Sequence, residues 1–400
     1  MHNCQNQGLF LYNLRRVNEQ AGVDKQIVDI MVAFARLKME RHESIDFYPD
    51  STPKNDPVVL NFLEKNRHID KRASRFLAAY FHEVHRRRLC CILNSAHLAH
   101  LLNITLSQLK QLSTASKKHY FSFHIHKHNG QLRKIDSPKP QLKRIQRKIL
   151  DLVLQRVPLN SHAEGYVRQK SILTNARRHI GKEIVIRMDI SNFFPSITFP
   201  RVVGAFEALG YPYNVAEMIG KLTTHDSLLP IGAPTSPAIS NIICRKLDKR
   251  FVCLGQKCGF NYSRYADDIA ISSSNSQLNQ MIPFFDKIIR EEGFMVNQTK
   301  TIVMRNAGRQ KITGVVVNQK TNAPREEVRK LRAVLHNCFK NGTGSEMHKW
   351  AVYEKNCPEK KYSQSKFRAS LLGRINYVRL VNPIKGEQLL QQFNQLNFNT

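Results

Sequence analysis

Residues 261–272 read NYSRYADDIAIS, two short runs of strand length on either side of an acidic turn, Asp267-Asp268. Adjacent carboxylates at a tight turn repel each other and cost stability unless a cation neutralises them. A third acid belongs with them. KEIVIRMDI (182–190) is an apolar strand that ends in Asp189 and Ile190. One aspartate at a strand end is an ordinary cap or turn former. Three of them form an oxygen-rich site suited to Mg²⁺. Two such ions, about 3.5–4 Å apart, lower the pKa of an attacking hydroxyl and stabilise a departing pyrophosphate.

Outward from the acids, strands and helices alternate. The patterns predict helices over Val202–Lys221, Thr235–Phe251 and about Gln277–Glu292, and strands in FMVNQTKTIVM (294–304) and KITGVVV (311–317). The order implies an antiparallel sheet backed by helices on one side, with acids at strand ends. Upstream, FSFHIHKH, a turn at Asn129-Gly130 and LRKID (132–136) predict a hairpin, with a helix after Pro140. Asp24 caps a helix with the apolar face Ile27, Ile30, Met31 and Phe34, and Asp50–Pro57 reads as a linker. The pattern after Pro324 is helical and basic.

The 400 residues carry a formal charge of +31, spread along the chain instead of on one amphipathic segment, so the expected partner is nucleic acid and not a membrane. No apolar run is long enough to span a bilayer and MHNCQNQGLF has no secretory pattern, which predicts a cytoplasmic chain with reduced thiols. Four other features read as structural. HRRRL (85–89) is a solvated helix face, and Trp350 is packing. Cys253 and Cys258, wrongly spaced for a zinc knuckle, are buried thiols at a helix end. His124, His126 and His128 share a strand face but lack a fourth ligand.

The acids also carry a resemblance. Tyr265-Ala266-Asp267-Asp268 resembles the catalytic signature of reverse transcriptases, and MDISNFFPSI (188–197) their first-aspartate motif. LRKIDSPKPQLKRIQ (132–146) is similar to their fingers motif, LPIGAPTSPAISN (229–241) to the motif that positions template and sugar, and GFMVNQTKT (293–301) to their lysine-bearing strand. Asn175-Ala176-Arg177-Arg178-His179 and Ile312-Thr313-Gly314 resemble the N-A-x-x-H and V-T-G elements of the bacterial retron branch. The resemblance implies an α+β right-hand polymerase: a helical N-terminal extension over 1–92, fingers with a retron-type insertion over 93–181, a ferredoxin-like palm over 182–323 and a basic helical thumb over 324–400. It further implies RNA-directed DNA synthesis from dNTPs on a dedicated structured non-coding RNA, giving a branched RNA–DNA product that acts with an effector protein in anti-phage defence. The competing readings are an intron-encoded reverse transcriptase and a nucleic-acid-binding scaffold with a lapsed active site.

By that resemblance Asp189 and Asp267 bridge two Mg²⁺, with Asp268 at the edge and the Ile190 carbonyl as a further ligand. Arg133 clamps the incoming triphosphate, Lys134 and Lys143 either share that work or are solvated charges, and Gly232 and Ala233 lie at the nucleotide. Phe194 blocks a ribose 2′-hydroxyl or is an ordinary core aromatic. Lys300 protonates pyrophosphate or is a solvated lysine. Ile231 departs from the family, which has glutamine there, and its aliphatic side chain makes no hydrogen bond. Asn175 and His179, together with Ile312, Thr313 and Gly314, are expected to choose the RNA; the alternative for Asn175 and His179 is a polar brace on the palm.

Overall fold

The computed structural model describes residues 14–16, 19, 25–39, 71–114, 116–126, 130–353 and 363–398. Asp24, the Asp50–Pro57 linker, His128, Asn129, Cys4 and Cys357 lie outside the described residues. The chain forms two compact units, Met1–Asn160 with Asn192–Lys246 and Ser161–Ser191 with Leu247–Thr400.

In the first unit, helix Lys25–Met39 buries the face anticipated for it, Ile27, Ile30, Met31 and Phe34. Strands β1 (Tyr120–His126) and β2 (Leu132–Pro138) pair antiparallel, from Tyr120↔Pro138 to His126↔Leu132, and helix Pro140–Leu152 follows with proline in its first turn. The single helix expected over Val202–Lys221 is two, Phe199–Leu209 and Tyr213–Thr223. Gly210 ends the first in a left-handed conformation at φ +101°, and Pro212 caps the second. The helix expected over Thr235–Phe251 is also interrupted, at Cys244, between Ser236–Ile243 and Arg245–Cys258. HRRRL is largely solvated, with His85, Arg86 and Arg88 exposed and Leu89 buried. Helix Lys71–Arg86 ends within it, and the nearly buried Glu83 takes Arg86 at 2.7 Å and Arg87 at 2.6 Å. Burial pushes the Glu83 carboxyl up, but those two guanidiniums outweigh it and hold it at about 2.

The second unit is built on a four-stranded sheet of order β4-β5-β3-β6, antiparallel throughout: β3 is Ile184–Ile190, β4 Asn261–Tyr265, β5 Asp268–Ser273 and β6 Val296–Arg305. Helices between β3 and β4 and between β5 and β6 complete the ferredoxin-like β-α-β-β-α-β pattern. Alternation along the strands separates two faces. Tyr262 stacks on Phe251 of helix Arg245–Cys258 (ring centroids 4.8 Å), and Phe251 meets Phe285 of helix Ile282–Glu291 at 5.7 Å. The opposite face presents the small residues Ser263, Ala270 and Ser272. It is not left bare, as the one-sided expectation had it. Small side chains let helix Ile172–Arg177 approach, and Ala176 packs with Val185, Ala270 and the residues of a short hairpin, β7 (Lys311–Ile312) and β8 (Val315–Val316).

Helices Arg325–Asn341, Thr343–Tyr353, Gln364–Val381 and Pro383–Asn394 enclose Trp350, Phe367, Leu371 and Ile375. Trp350 is thus packing, and its indole donates to Ser370 Oγ at 3.1 Å. Cys253 and Cys258 are exposed, contrary to expectation, because helix Arg245–Cys258 buries the stripe Leu247, Phe251 and Gly255 and turns both thiols away from it.

Beneath β4 a charge pair is wholly enclosed. Arg264 (0 % exposed) donates to both Asp248 oxygens at 2.8 Å, and the Tyr262 hydroxyl reaches Asp248 at 2.7 Å. Removing one partner leaves an uncompensated buried charge, so Asp248→Leu should lower the unfolding free energy by about 3–5 kcal/mol. The double change Asp248→Leu with Arg264→Met should recover most of that loss in a denaturant titration, whereas additive losses would show the pair to be uncoupled.

Candidate active site

Three carboxylates come to one end of the sheet through strand register. Asp189 of β3 lies directly opposite Asp268 of β5. Tyr265 pairs with Asp268 across the β4–β5 hairpin, which leaves Ala266 and Asp267 as a two-residue turn with Ala266 at φ +60°. The Ile190 N–H donates to the Asp267 carbonyl at 2.9 Å, fastening the turn to the end of β3.

The turn is held from two further directions. Arg264 Nη1 donates to the Ala266 carbonyl at 3.1 Å, so the buried pair with Asp248 also fixes a left-handed residue next to Asp267. Residues 162–165 run along the outer edge of β4, with Arg264 N–H to the His162 carbonyl at 3.0 Å and Glu164 N–H to the Arg264 carbonyl at 2.8 Å. Gly165 then lies against the turn itself; a Cβ there would stand 2.4 Å from the Ala266 nitrogen. Glu164 is pinned in turn by Arg178 at 2.7 Å and Lys170 at 3.1 Å.

Each flanking acid has a cation. Lys300 Nζ sits 3.1 and 3.0 Å from the two Asp189 oxygens, and Arg187 reaches Asp268 at 2.8 Å. Lys300 owes its place to a bulge. The β3–β6 register jumps from Arg187↔Ile302 to Asp189↔Asn297, so residues 298–301, Lys300 among them, stand opposite Met188 alone. Burial raises the pKa of Asp267, with repulsion from Asp189 and Asp268 adding to it. Burial likewise raises Asp268, against the lowering effect of Arg187. Among the described residues no three His, Cys, Asp or Glu side chains converge at metal-holding distance. The donor set nevertheless suits a hard divalent cation: like-charged oxygens gather at one strand end, and ammonium and guanidinium groups now stand against them.

The candidates of the first unit form a separate group. Phe194 is half-buried beside the buried Phe193, ring centroids 5.3 Å apart. Arg133 and Lys134 are exposed on β2, with Lys134 paired to Asp136 at 3.1 Å, and Lys143 is half-buried on helix Pro140–Leu152. The Asp136 N–H donates to the Ile231 carbonyl at 2.8 Å, and a Cβ on Gly232 (φ +119°) would stand 2.9 Å from the Asp136 carbonyl oxygen. That loop therefore docks on β2 through main chain. Ala233 is buried. His124 and His126 are exposed and belong to no metal cluster among the described residues.

Of the five residues expected to choose the RNA, three are buried. Asn175 is 1 %, His179 0 % and Ile312 1 % exposed, while Thr313 and Gly314 are half-buried. Asn175 and His179 turn inward because their partners are there: His179 lies 2.7 Å from Ser272 Oγ and 2.8 Å from Ser263 Oγ, and Asn175 bonds Ser263 at 2.5 Å and Thr313 at 3.3 Å. For Asn175 and His179 these contacts match the alternative reading, a polar brace, while Thr313 and Gly314 keep part of their surface exposed. Sequence reasoning missed Gly165, Arg187, Asp248 and Arg264. The one signal for Arg187 and Arg264 was a charge inside an apolar strand; Gly165 and Asp248 gave none.

Residues 125–332 match the family described as reverse transcriptase (RNA-dependent DNA polymerase). The chain is 35 % identical over 294 residues to the retron Mx65 reverse transcriptase of Myxococcus xanthus, covering 69 % of this chain and 64 % of that protein. It is 32 % identical over 369 residues to the retron Mx162 reverse transcriptase of the same organism, covering 82 % and 72 %. To the retron Ec86 reverse transcriptase of Escherichia coli it is 32 % identical over 253 residues, covering 62 % and 79 %. Among solved structures, a Candida albicans telomerase in complex with a telomeric RNA fragment aligns over 93 % of this chain and 81 % of that one, at 12 % identity and a TM-score of 0.38.

The tight approach at Gly165 is directly testable. Gly165→Ala places a methyl group on the main chain of the acidic turn and should destabilise the protein by about 1–3 kcal/mol. An unchanged thermal midpoint would mean that residues 162–165 do not press on the turn.

Proposed function

Because the chain belongs to the reverse transcriptases, RNA-dependent DNA polymerases, and within them to the bacterial retron enzymes, we propose that it copies one structured non-coding RNA into a branched RNA–DNA. The observation that carries this reading is the meeting of Asp189, Asp267 and Asp268 at one end of a four-stranded sheet, in a chain of formal charge +31. Reverse transcriptases generally use divalent metal ions; here we assign two Mg²⁺ to Asp189, Asp267, Asp268 and the Ile190 carbonyl. Bound there, the ions would activate the primer hydroxyl and neutralise the departing pyrophosphate.

The remaining work falls to the chain's own groups. Arg133, with Lys134, clamps the dNTP triphosphate, since a guanidinium fork matches phosphate oxygens. Gly232 and Ala233 bring main chain to the nucleotide. The Phe194 ring fills the volume that a ribose 2′-hydroxyl would need. Lys300 protonates pyrophosphate as it leaves; its pairing with Asp189 is consistent with an ammonium held ready beside the reacting phosphates. The basic surface holds template and product through phosphate contacts. We assign the extension over 1–92, fingers, palm and thumb to the boundaries expected from the sequence. We further propose that the enzyme acts in the cytoplasm, in anti-phage defence with an effector protein. No helix among the described residues is long and apolar enough to cross a membrane.

Asp189→Asn and Asp267→Asn should each abolish primer extension while RNA affinity stays near wild type, because each removes charge from the acid cluster without touching the basic surface. Extension close to wild type would end the assignment. Sequencing the nucleic acid that copurifies with the protein should return one branched RNA–DNA; mixed cellular RNA would count against the retron product. Phe194→Ala should raise ribonucleotide incorporation, measured as the ratio of rNTP to dNTP efficiency. Unchanged sugar selectivity in the folded variant would return Phe194 to the core.

A further inference from the structure

The hydrogen bonds of the buried Asn175–His179 cluster could run in either of two directions, and the Thr313–Ile172 contact favours one of them. Thr313 Oγ1 lies 3.3 Å from the Ile172 carbonyl, which only accepts, so the Thr313 hydroxyl donates there and its oxygen accepts from Asn175 Nδ2 at 3.3 Å. That fixes the amide: Asn175 Oδ1 faces Ser263 and takes its hydroxyl proton at 2.5 Å. Ser263 has no second proton to give, so His179 Nε2, 2.8 Å away, must donate to it. His179 Nδ1 is then bare and accepts from Ser272 Oγ at 2.7 Å. Five groups thus form one directed chain from Ser272 to a backbone carbonyl, with every polar atom between them matched. Burial, aided by Arg178 and Lys182, pushes the imidazole down to about 3, in keeping with a neutral ring.

The two serines stand on the two strands of the acidic hairpin. Ser263 of β4 pairs with Ala270 of β5, one alternation from Ser272, so both hydroxyls lie on the face that also carries Asp268 and Asp189. Ser272 is four residues, about 13 Å, along β5 from Asp268. One imidazole spanning two strands resists sliding of β4 against β5, and such sliding would move the turn that holds Asp267. The hairpin that carries Thr313 is tied outward by a separate bond: Thr313 and Gly314 form the tip of β7–β8, and the Tyr377 hydroxyl of helix Gln364–Val381 donates to the Gly314 carbonyl at 2.9 Å.

We propose that His179, neutral and protonated on Nε2, is a positioning residue for the catalytic turn, tying Ser263 of β4 to Ser272 of β5, with Asn175 and Thr313 fixing the direction of its hydrogen bonds. The inference rests on the reading of Asp189, Asp267 and Asp268 as catalytic. It assigns the N-A-x-x-H element to nucleotide addition on every template, not to choice of one RNA.

Two measurements test it on the full chain. In protein labelled with ¹⁵N-histidine, the His179 signal, identified by its loss in His179→Gln, should show the neutral Nε2–H tautomer and keep it at mildly acidic pH. A charged ring or an Nδ1–H tautomer overturns the assignment. In single-turnover addition of one dNTP to an annealed primer on an arbitrary RNA template, Ser272→Ala and His179→Ala should each lower the maximal rate about ten-fold or more. Primer–template affinity and dNTP KM should stay unchanged, and His179→Gln, which keeps a donor and an acceptor, should restore part of the rate. Should His179→Ala fail to fold, Ser272→Ala carries the test. Wild-type rate in folded Ser272→Ala, or a loss confined to one structured RNA, overturns the proposal. A wild-type chain that extends no primer overturns the polymerase reading instead, and the tautomer then stands or falls on the spectrum.

Discussion

Three carboxylates at one end of a small antiparallel sheet repel one another, and much of the second unit is arranged to hold them there. Register alone sets Asp189 against Asp268, but register does not stop a two-residue turn from relaxing away from its neighbours. Ala266 sits in the left-handed region, where an alanine is strained. The strain is met by a buried guanidinium on its carbonyl, by the Gly165 main chain pressed against its nitrogen, and by the β3 end bonded to Asp267. Each restraint acts on backbone, so the carboxylates themselves remain available to cations.

The acids and the sheet were legible in the sequence because they rest on local signals. Apolar runs of strand length mark β3 and β5, and paired aspartates between short strands mark a hairpin, so the order of elements and the position of the acids could both be read. Helix ends were less legible. Gly210 and Pro212 are visible as breakers, yet an apolar pattern running through them reads as one helix. The inward turn of Asn175 and His179 was open in the sequence only as the alternative of a polar brace. Neutral polar side chains suit an RNA edge and a buried hydroxyl equally well, and the deciding partners, Ser263, Ser272 and Thr313, lie 84 to 138 positions away in sequence. Cys253 and Cys258 illustrate the converse. A thiol usually favours burial, but the apolar stripe of its helix had already been claimed by Leu247, Phe251 and Gly255.

Ile231 shows how a departure from a family pattern can be structurally quiet. The position meets β2 through its carbonyl, and Gly232 makes the approach close enough for that bond to form. Main-chain recognition is indifferent to the side chain, provided the following residue has no Cβ. The loop therefore keeps its seat on β2 with isoleucine at 231.

The acidic hairpin is thus gripped on both faces by buried polar groups of different kinds. On the Phe251 face the grip is ionic, Arg264 matched by Asp248; on the other it is neutral, a chain of hydroxyls, an amide and an imidazole. The difference follows from the surroundings. Arg264 has a carboxylate enclosed with it, so its charge is cancelled where it lies. His179 has Arg178 and Lys182 for neighbours and no acid among its hydrogen-bond partners, so a proton on its second nitrogen would leave an unpaired buried cation. Both braces therefore add little net charge beneath the acids. The field at Asp189, Asp267 and Asp268 is left to Lys300, Arg187 and whatever cations and phosphates arrive from solution, which is the condition a site must meet if its charge balance is to change with the substrate and not with the fold.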